Sequence, residues 1–424
     1  MKATTLPLQN PGSVGAETGW MDRIARRLLL NRLQRLETGA IRIEEQGRLR
    51  RFGPADQSRK AVTVRVLDPG FYGDVVFGGS IGAGESYMQG HWSCDDLTGL
   101  VRILLRNRRL LDGIDSGPLY LRGPLHRLLH RLRRNTRRGS RRNVEAHYDL
   151  GNDLFRLFLD DTMMYSSGVF EHPYASLHDA SLAKLERICR KLDLQPDDHV
   201  LEIGTGWGGF ALYAARNYGC RVTTTTVSQE QYQLARERVQ EAGLQDRIDV
   251  LCRDYRDLQG RYDKLVSIEM VEAIGHAYLD TYFAQCDRLL KPDGMFLLQA
   301  ITIADQRYRQ AARSVDFIQR YIFPGGFLPS VSVLNDGATR NSELRLFHLE
   351  DIGPHYATTL RHWRERFFAR LPEVRTLGYD ERFIRMWEFY LCYCEGGFLE
   401  RSIGTVQMLL VKPRCRRPAL TPAL

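Results

Sequence analysis

Between residues 199 and 303 the sequence alternates short apolar segments with longer amphipathic ones, and this alternation restricts the fold more than any other feature. The apolar segments are bounded by turn residues and predict strands, whereas the amphipathic segments predict helices. The predicted strands are 199–203, 221–227, 248–251, 264–268 and 295–303, and the predicted helices are 210–218, 229–242 and 278–290, with a turn at 291–294. Strands that alternate with helices form a doubly wound, mostly parallel sheet, so the sequence predicts an α/β fold.

The first predicted strand leads into a glycine-rich loop, Glu202-Ile203-Gly204-Thr205-Gly206-Trp207-Gly208. Glycine allows the backbone to approach a ligand closely, and ligands of doubly wound folds bind at the carboxyl ends of the strands. Enzymes that use NAD or FAD share this kind of loop, so the loop alone leaves the cofactor open.

Three features favour S-adenosylmethionine over a dinucleotide. The spacing is G-x-G-x-G, and Glu202 lies two residues before the first glycine. The second strand does not end in Asp or Glu, the residue that normally holds the ribose of a nicotinamide cofactor. After the third strand, Asp254 and Tyr255 supply a carboxylate and a ring for an adenine. Together these features match class I methyltransferases.

Positive charge is concentrated in the first third of the chain. Residues 1–142 hold 26 Lys and Arg against 13 Asp and Glu, whereas the remainder holds 34 against 38. Nine arginines lie in the segment 122–142 alone. This excess predicts an anionic partner, either membrane head groups or nucleic acid. The arginine segment lacks interleaved aromatic residues and the chain has no nucleic-acid fold signature, which favours an anionic membrane surface and no nucleic acid.

Cysteine usage and the absence of targeting signals indicate the compartment. The eight cysteines form no C-x-x-C pair, which indicates reduced thiols in a cytoplasmic protein. Cys392-Tyr393-Cys394 lacks a second Cys or His pair, so no metal site is predicted. The first 19 residues do not resemble a signal peptide, and no apolar run reaches the roughly 20 residues that cross a bilayer. We therefore expect a protein that is peripheral on the inner face of the membrane.

The region before the predicted sheet has a different pattern. Residues 23–36 predict an amphipathic basic helix, for which an ordinary surface helix is favoured over one lying on a membrane. Strands are predicted at 62–67 and 75–77 and a helix at 97–109. The expected organisation is a small N-terminal α+β domain that associates with lipid or membrane, an arginine-rich linker, a catalytic domain and a C-terminal tail, at residues 1–120, 121–142, 143–415 and 416–424.

Several longer motifs resemble cyclopropane-fatty-acyl-phospholipid synthases and the related mycolic acid cyclopropane synthases. They are His147-Tyr148-Asp149-Leu150-Gly151-Asn152-Asp153-Leu154-Phe155, Met164-Tyr165-Ser166-Ser167 and Tyr321-Ile322-Phe323-Pro324-Gly325-Gly326-Phe327-Leu328-Pro329-Ser330. The resemblance covers roughly residues 80–413. It implies a class I methyltransferase fold, with a seven-stranded, mostly parallel sheet, an inserted helical lipid-binding region and the small N-terminal α+β domain.

The resemblance also implies the chemistry. A methylene unit passes from S-adenosylmethionine to the cis double bond of an unsaturated acyl chain in membrane phospholipid. The resulting carbocation closes to a cyclopropane ring when a bound bicarbonate removes a proton. Members of the family are often dimers, so a homodimer is among the expected states.

Site residues follow from the resemblance position by position. The implied catalytic residues are Glu272, Tyr356 and Gln299 through their side chains, Ser167 and Ile301 through their backbones, and Cys394 as a neighbour that is not a nucleophile. The implied cofactor residues are Tyr165, Ser166, Glu202, Gly204, Thr205, Gly206, Trp207, Gly208, Thr226, Gln231, Asp254 and Tyr255. Gln299 stands where better-known members have a histidine, and Ser167 where they have a cysteine. Gln299 can donate and accept hydrogen bonds but cannot carry a protonic charge.

Simpler interpretations exist for several of these residues. Glu272 could cap a helix, Tyr356 could be a core residue, and Cys394 could be a small buried apolar residue. Among five aromatic residues near the end of the chain, most are expected in the core and a minority in an acyl tunnel: Phe383, Trp387, Phe389, Tyr390 and Tyr393. Two other functions also remain open. One is a fatty-acyl methyltransferase with a methylene- or methyl-branched product, and the other is a lipid-binding protein with a vestigial methyltransferase domain.

Overall fold

The computed structural model of the chain describes residues 19–54, 61–108 and 150–420. Those residues fall into two compact units. The first unit takes the described residues within 1–129, 314–320 and 378–402, and the second takes those within 130–313, 321–377 and 403–424. The predicted linker at 121–142, with its arginines, and the motif residues His147 to Asp149 lie outside the described residues.

The described elements alternate in the order that the sequence predicts for residues 199–303. The helices are α1 (Trp20–Leu33), α2 (Gly70–Met88), α3 (Leu97–Arg106), α4 (Asn152–Phe158), α5 (Leu177–Leu192), α6 (Gly209–Tyr218), α7 (Gln229–Glu241), α8 (Leu279–Leu289), α9 (Asp305–Ala311), α10 (Val331–Asn341), α11 (Gly353–Ala369), α12 (Leu371–Thr376) and α13 (Glu381–Leu399). The strands are β1 (Ile41–Glu45), β2 (Arg48–Phe52), β3 (Val62–Val66), β4 (Trp92–Cys94), β5 (His199–Ile203), β6 (Arg221–Thr226), β7 (Ile248–Cys252), β8 (Tyr262–Ile268), β9 (Leu290–Ile303), β10 (Arg345–Asp351) and β11 (Ile403–Val411).

The first unit is an α+β structure with a four-stranded sheet in the order β2-β1-β3-β4. Helix α13 joins it although the sequence placed residues 378–402 in the catalytic domain. In α1, Ala25, Leu29 and Leu33 are buried, so the amphipathic helix packs its apolar face within the protein as a surface helix. Its first turn leaves Trp20 and Met21 exposed.

The predicted strand at 75–77 is wrong, because these residues lie in the middle of α2. Val75 and Val76 favour a strand locally, but tertiary packing overrides this preference. The packing involves small buried residues of the same helix, such as Gly82 and Gly84. The chain kinks at Gly79, whose φ is +58°, and continues as helix. A Cβ at Gly84 would approach the ring of Phe317 to 2.3 Å, so glycine allows close packing here.

The second unit contains the seven-stranded sheet, in the order β10-β11-β9-β8-β5-β6-β7. Neighbouring strands from β9 through β8, β5 and β6 to β7 are parallel, and only β11 pairs antiparallel with its neighbours. Alternate residues of the strands enter two separate cores. Leu201 and Leu265 belong to one core, and Val200 and Val266 belong to the other. The doubly wound, mostly parallel seven-stranded sheet is therefore confirmed.

The predicted turn at 291–294 is also wrong, because it lies within β9. Leu290 already pairs with Tyr262 on β8, and the register shifts before Met295 pairs with Lys264. The Pro-Asp-Gly sequence therefore forms an irregularity inside a strand instead of ending one. After β9 the chain inserts α9 and α10 before it returns to the sheet through β10, and it inserts α11 to α13 before β11.

The eight cysteines are all free thiols. Among the residues that the structure describes, no group of His, Cys, Asp and Glu is arranged to hold a metal ion. No described helix combines the length and the apolar character that a membrane span requires.

Candidate active site

The glycine-rich loop follows the carboxyl end of β5 and leads into α6. Gly204, Gly206 and Gly208 all have positive φ, in the left-handed region that glycine adopts readily. At Gly204 the φ is +105°, and an added Cβ would lie 3.2 Å from the side chain of Met270. The turn of this loop therefore depends on glycine at position 204.

Buried hydrogen bonds fix the loop from behind. The Thr224 hydroxyl lies 2.6 Å from Glu202 Oε2 and 2.7 Å from Thr205 Oγ1. Burial raises the pKa of Glu202 to about 8. Trp207 donates from Nε1 to Asn152 Oδ1 at 2.7 Å. These predicted cofactor residues thus support the loop through their side chains.

Three further predicted cofactor residues, Thr226, Asp254 and Tyr255, lie at the ends of neighbouring strands, and Gln231 lies on α7. Thr226 ends β6 and donates to Gln231 Oε1 at 2.8 Å. Asp254 follows β7 and accepts two side-chain hydrogen bonds from Arg256, at 2.8 and 2.6 Å. The ring of Tyr255 is buried in the core beside Tyr282, and burial raises its pKa beyond the usual range.

A carboxylate that the sequence did not predict lies at the centre of the site. Glu269 follows β8 and accepts hydrogen bonds from the Ser167 N–H at 3.0 Å, from Gln299 Nε2 at 2.7 Å and from the Tyr356 hydroxyl at 2.7 Å. Its own φ is +50°, which is uncommon for a residue with a side chain. Three of the groups expected to hold a bicarbonate therefore converge on Glu269.

Glu272 lies one short turn further along, in the 3-10 helix Val271–Ala273. Its Oε1 accepts a hydrogen bond from the Ile301 N–H of β9, so the side chain does not cap its own helix. Its Oε2 is buried without a hydrogen-bond partner. Burial, together with the charge of Glu269, raises the pKa of Glu272 to about 8. The pKa of this carboxyl therefore lies close to neutral pH.

Lys184 is a fully buried cation near these acids. Its Nζ donates to Ser166 Oγ at 2.7 Å. Burial lowers the pKa of Lys184 to about 8, and the charges of Glu269, Asp160 and Glu202 limit this fall. Lys184 thus links Ser166, a predicted cofactor residue, electrostatically to Glu269.

A chain of amides orients Gln299. Gln407 Nε2 donates to Gln299 Oε1 at 2.9 Å, and Lys191 Nζ donates to Gln407 Oε1 at 2.7 Å. Because the Gln299 oxygen already accepts from Gln407, its NH₂ group faces Glu269. The orientation of Gln299 as a donor is therefore set by residues on α5 and β11.

Aromatic rings of the second unit surround Tyr165. Its ring centroid lies 5.1 Å from that of Phe155 and 5.0 Å from that of Trp363, and Trp363 also packs edge-on against Tyr356. The sequence instead singled out aromatic residues of α13, which belongs to the first unit. Cys394 lies on α13 as well, and burial raises the pKa of its thiol, which disfavours a reactive thiolate.

A sequence signal for Glu269 exists in Ser267-Ile268-Glu269-Met270-Val271-Glu272. Two acids three residues apart follow directly after a buried strand, at the sheet edge where ligands bind. The family resemblance implies a catalytic role for Glu272 alone and not for Glu269.

Comparisons with known proteins agree with this geometry. The family described as mycolic acid cyclopropane synthetase matches residues 135–408, more than half of the chain. The chain is 40% identical over 367 residues to the cyclopropane-fatty-acyl-phospholipid synthase of Escherichia coli, covering 85% of this chain and 91% of that protein. It is also 40% identical over 342 residues to the tuberculostearic acid methyltransferase UfaA1 of Mycobacterium tuberculosis, covering 79% of each chain.

Solved structures show the same catalytic fold. The cyclopropane synthase MmaA2 of Mycobacterium tuberculosis has a TM-score of 0.60 and 30% identity, with 64% of this chain and 98% of that chain covered. The mycolic acid cyclopropane synthase CmaA1 complexed with SAH and CTAB has a TM-score of 0.59 and 32% identity, with the same coverage. The chain belongs to the mycolic acid cyclopropane synthetase family and is an S-adenosylmethionine-dependent methyltransferase of the class I fold.

Proposed function

We propose that this enzyme transfers a methylene unit from S-adenosylmethionine to the cis double bond of an unsaturated acyl chain in membrane phospholipid, giving a cyclopropane. The observation that carries this proposal is the buried site of Glu269 and Glu272 at the ends of β8 and β9. The 40% identity to the Escherichia coli phospholipid synthase, over most of both chains, supports the choice of substrate.

S-adenosylmethionine supplies an electrophilic methyl group on a sulfonium. The alkene is itself the nucleophile, so its first step needs no general base. Its π electron pair forms the bond to the methyl carbon, and the pair of the broken C–S bond stays on sulfur. The cation left on the acyl chain needs protection from water and a negative or π-rich surface. We expect the aromatic rings around Tyr165 and the carboxylate of Glu269 to provide such a surface.

The bicarbonate implied by the sequence resemblance does not fit the observed donors. The single hydrogens of the Ser167 N–H and the Tyr356 hydroxyl go to Glu269, and the Ile301 N–H goes to Glu272. An added anion would also lie beside the carboxylate of Glu269, and like charges repel. The donors that would hold bicarbonate are therefore already used by the two carboxyl groups.

Product analysis tests the proposal. The protein is incubated with S-adenosylmethionine and vesicles of unsaturated phospholipid, and the fatty acid esters are analysed by mass spectrometry after ring-specific derivatisation. We expect a cyclopropane. A methylene- or methyl-branched chain has the same mass gain of one CH₂ and would favour the second candidate, which the likeness to the tuberculostearic acid methyltransferase supports. No product on any lipid would contradict both and leave the lipid-binding alternative.

Membrane association follows from the same proposal. The excess of basic residues within 1–142 would hold the enzyme on an anionic cytoplasmic membrane surface. Co-sedimentation with anionic vesicles should weaken as salt rises. Preference for competing RNA over anionic vesicles would contradict the membrane assignment.

The glycine loop offers a test of the cofactor site. Gly204→Ala places a Cβ against Met270 at a φ of +105°, which costs about 1–3 kcal/mol of strain. We expect the affinity for S-adenosylhomocysteine, measured by calorimetry, to fall about tenfold or more. Gly243→Ala is the matched control, because Gly243 also has a positive φ but nothing within 4 Å of an added Cβ. Equal loss of affinity in both variants would mean that strain anywhere in the domain explains the result.

A further inference from the structure

We infer that the carboxylate of Glu269 is the base that removes the proton from the transferred methyl group, in the place where the family resemblance implies bicarbonate. This inference rests on the proposed function, because it assigns the last proton of the same reaction. It makes the base a part of the polypeptide and predicts turnover that does not depend on dissolved bicarbonate.

The hydrogen bonds of Glu269 carry the inference. A carboxylate presents two oxygens on one carbon, as bicarbonate does. Here the two oxygens of Glu269 accept the hydrogen bonds of the groups expected to bind bicarbonate. Oε1 accepts from the Ser167 N–H and from Gln299, and Oε2 accepts from the Tyr356 hydroxyl. The donors come from three separate parts of the chain, 102, 30 and 87 residues away in sequence. Such convergence places the carboxylate as a bound anion would be placed.

The backbone at Glu269 supports a functional role. A φ of +50° is a conformation that glycine adopts without cost and that other residues adopt rarely. Strain of this kind persists where the surrounding structure holds the residue in place, and it is frequent at active sites. A glutamate in this conformation suggests that the function of its side chain outweighs the cost of the strained backbone.

The surroundings of Glu269 suit a base. Burial raises the pKa of this carboxyl, and the hydrogen bonds from Gln299, Tyr356 and Ser167 and the charge of Lys184 oppose the rise. Burial makes the carboxylate a stronger base than it is in water, and the donors with the lysine favour its ionised form. Both properties are required of a group that must accept a proton from carbon.

The proposed proton transfer to Glu269 conserves all atoms and electrons. After methyl transfer, a C–H bond of the new methyl group breaks and its proton moves to an oxygen of Glu269. The electron pair of that bond forms the third ring bond to the cationic carbon. Glu269 becomes a neutral carboxylic acid, and its proton must leave before the next turnover. No oxidant, reductant or further reactant takes part.

The decisive variants are Glu269→Gly and Glu269→Gln, assayed with unsaturated phospholipid vesicles in CO₂-free buffer and in buffer with added bicarbonate. Wild-type turnover should be the same in both buffers. Glu269→Gly fits the backbone and frees the three donors, so its turnover should fall at least 100-fold without bicarbonate and recover at least tenfold with it. Glu269→Gln fills the same space without a basic oxygen, so it should lose turnover and gain nothing from bicarbonate.

Two further measurements keep these results interpretable. Both variants should bind S-adenosylhomocysteine within about threefold of wild type, which shows that the cofactor site is folded. Asp193→Gly is the matched backbone control, since Asp193 has a φ of +55° at the exposed end of α5. It should relieve similar strain without changing turnover or bicarbonate dependence.

The inference is overturned if wild-type turnover requires bicarbonate, or if Glu269→Gln keeps turnover within threefold of wild type. If Glu269→Gly fails to fold, the inference is still tested by wild-type turnover in the two buffers and by the turnover of Glu269→Gln. Failure of the proposed function looks different, because wild type would then form no methylated lipid in either buffer.

Discussion

Replacing Lys184 by Met should shift the acidic limb of the pH–turnover profile to higher pH. Lys184 is the cation whose charge lowers the pKa of Glu269. Without it, Glu269 keeps its proton to a higher pH, and a protonated Glu269 cannot act as a base. The change should also destabilise the fold by about 3–5 kcal/mol, because removing one member of a buried charge group leaves the acids uncompensated.

Turnover on phospholipid vesicles between pH 5.5 and 9, together with urea unfolding, measures both effects. Lys412→Met is the matched control. Lys412 is another buried lysine, directly after β11, and it bonds Asp287 at 2.8 Å instead of the active-site acids. The control should lose stability but keep the position of the acidic limb. An unshifted limb in Lys184→Met would show that Lys184 stabilises the fold without tuning Glu269.

The sequence predicted those parts of the site that depend on local patterns. Strand alternation and the glycine spacing are short-range signals, and the structure places Gly204 in the predicted turn after β5. The family motifs led to Ser167, Gln299 and Tyr356, which do come together at one point. Motifs succeed here although these groups lie on different elements, with Gln299 on β9, Tyr356 on α11 and Ser167 in the segment before α5.

The acceptor of those three donors could not be chosen from the sequence. Glu269 and Glu272 are both acids after β8, and only the backbone conformation decides which carboxylate meets the donors. The positive φ of Glu269 turns its side chain toward Ser167 and Tyr356, and a glutamate gives no sequence signal for that conformation. The predicted strand at 75–77 failed for a related reason, because packing around Gly84 sets the conformation of α2.

Replacing Glu272 by Gln should lower turnover while it stabilises the protein at alkaline pH. The proton that reaches Glu269 must leave a buried site, and Glu272 is the neighbouring carboxyl whose pKa lies near 8. A glutamine cannot carry that proton, so turnover should fall about 100-fold. Affinity for S-adenosylhomocysteine should stay nearly unchanged. Comparable loss of affinity would make Glu272 a cofactor ligand or a structural residue.

Rising pH should favour the folded state of Glu272→Gln over that of the wild type. The pKa of Glu272 rises from 4.5 to about 8 on folding, so the native state binds more protons than the unfolded state between these values. Wild-type stability therefore declines as pH rises through this window, and the glutamine variant escapes that decline. Its advantage in free energy of unfolding should be small near pH 5 and approach about 5 kcal/mol above pH 8.

Urea unfolding of both proteins at pH 5, 7 and 8.5 measures this difference, with Glu230→Gln on the exposed surface of α7 as the control. The control should show no such growth with pH. A constant difference for Glu272→Gln would mean that Glu272 is already ionised in the folded protein. It would then be a second negative charge beside Glu269, and the assignment of Glu272 as a carboxyl with a pKa near 8 would be wrong.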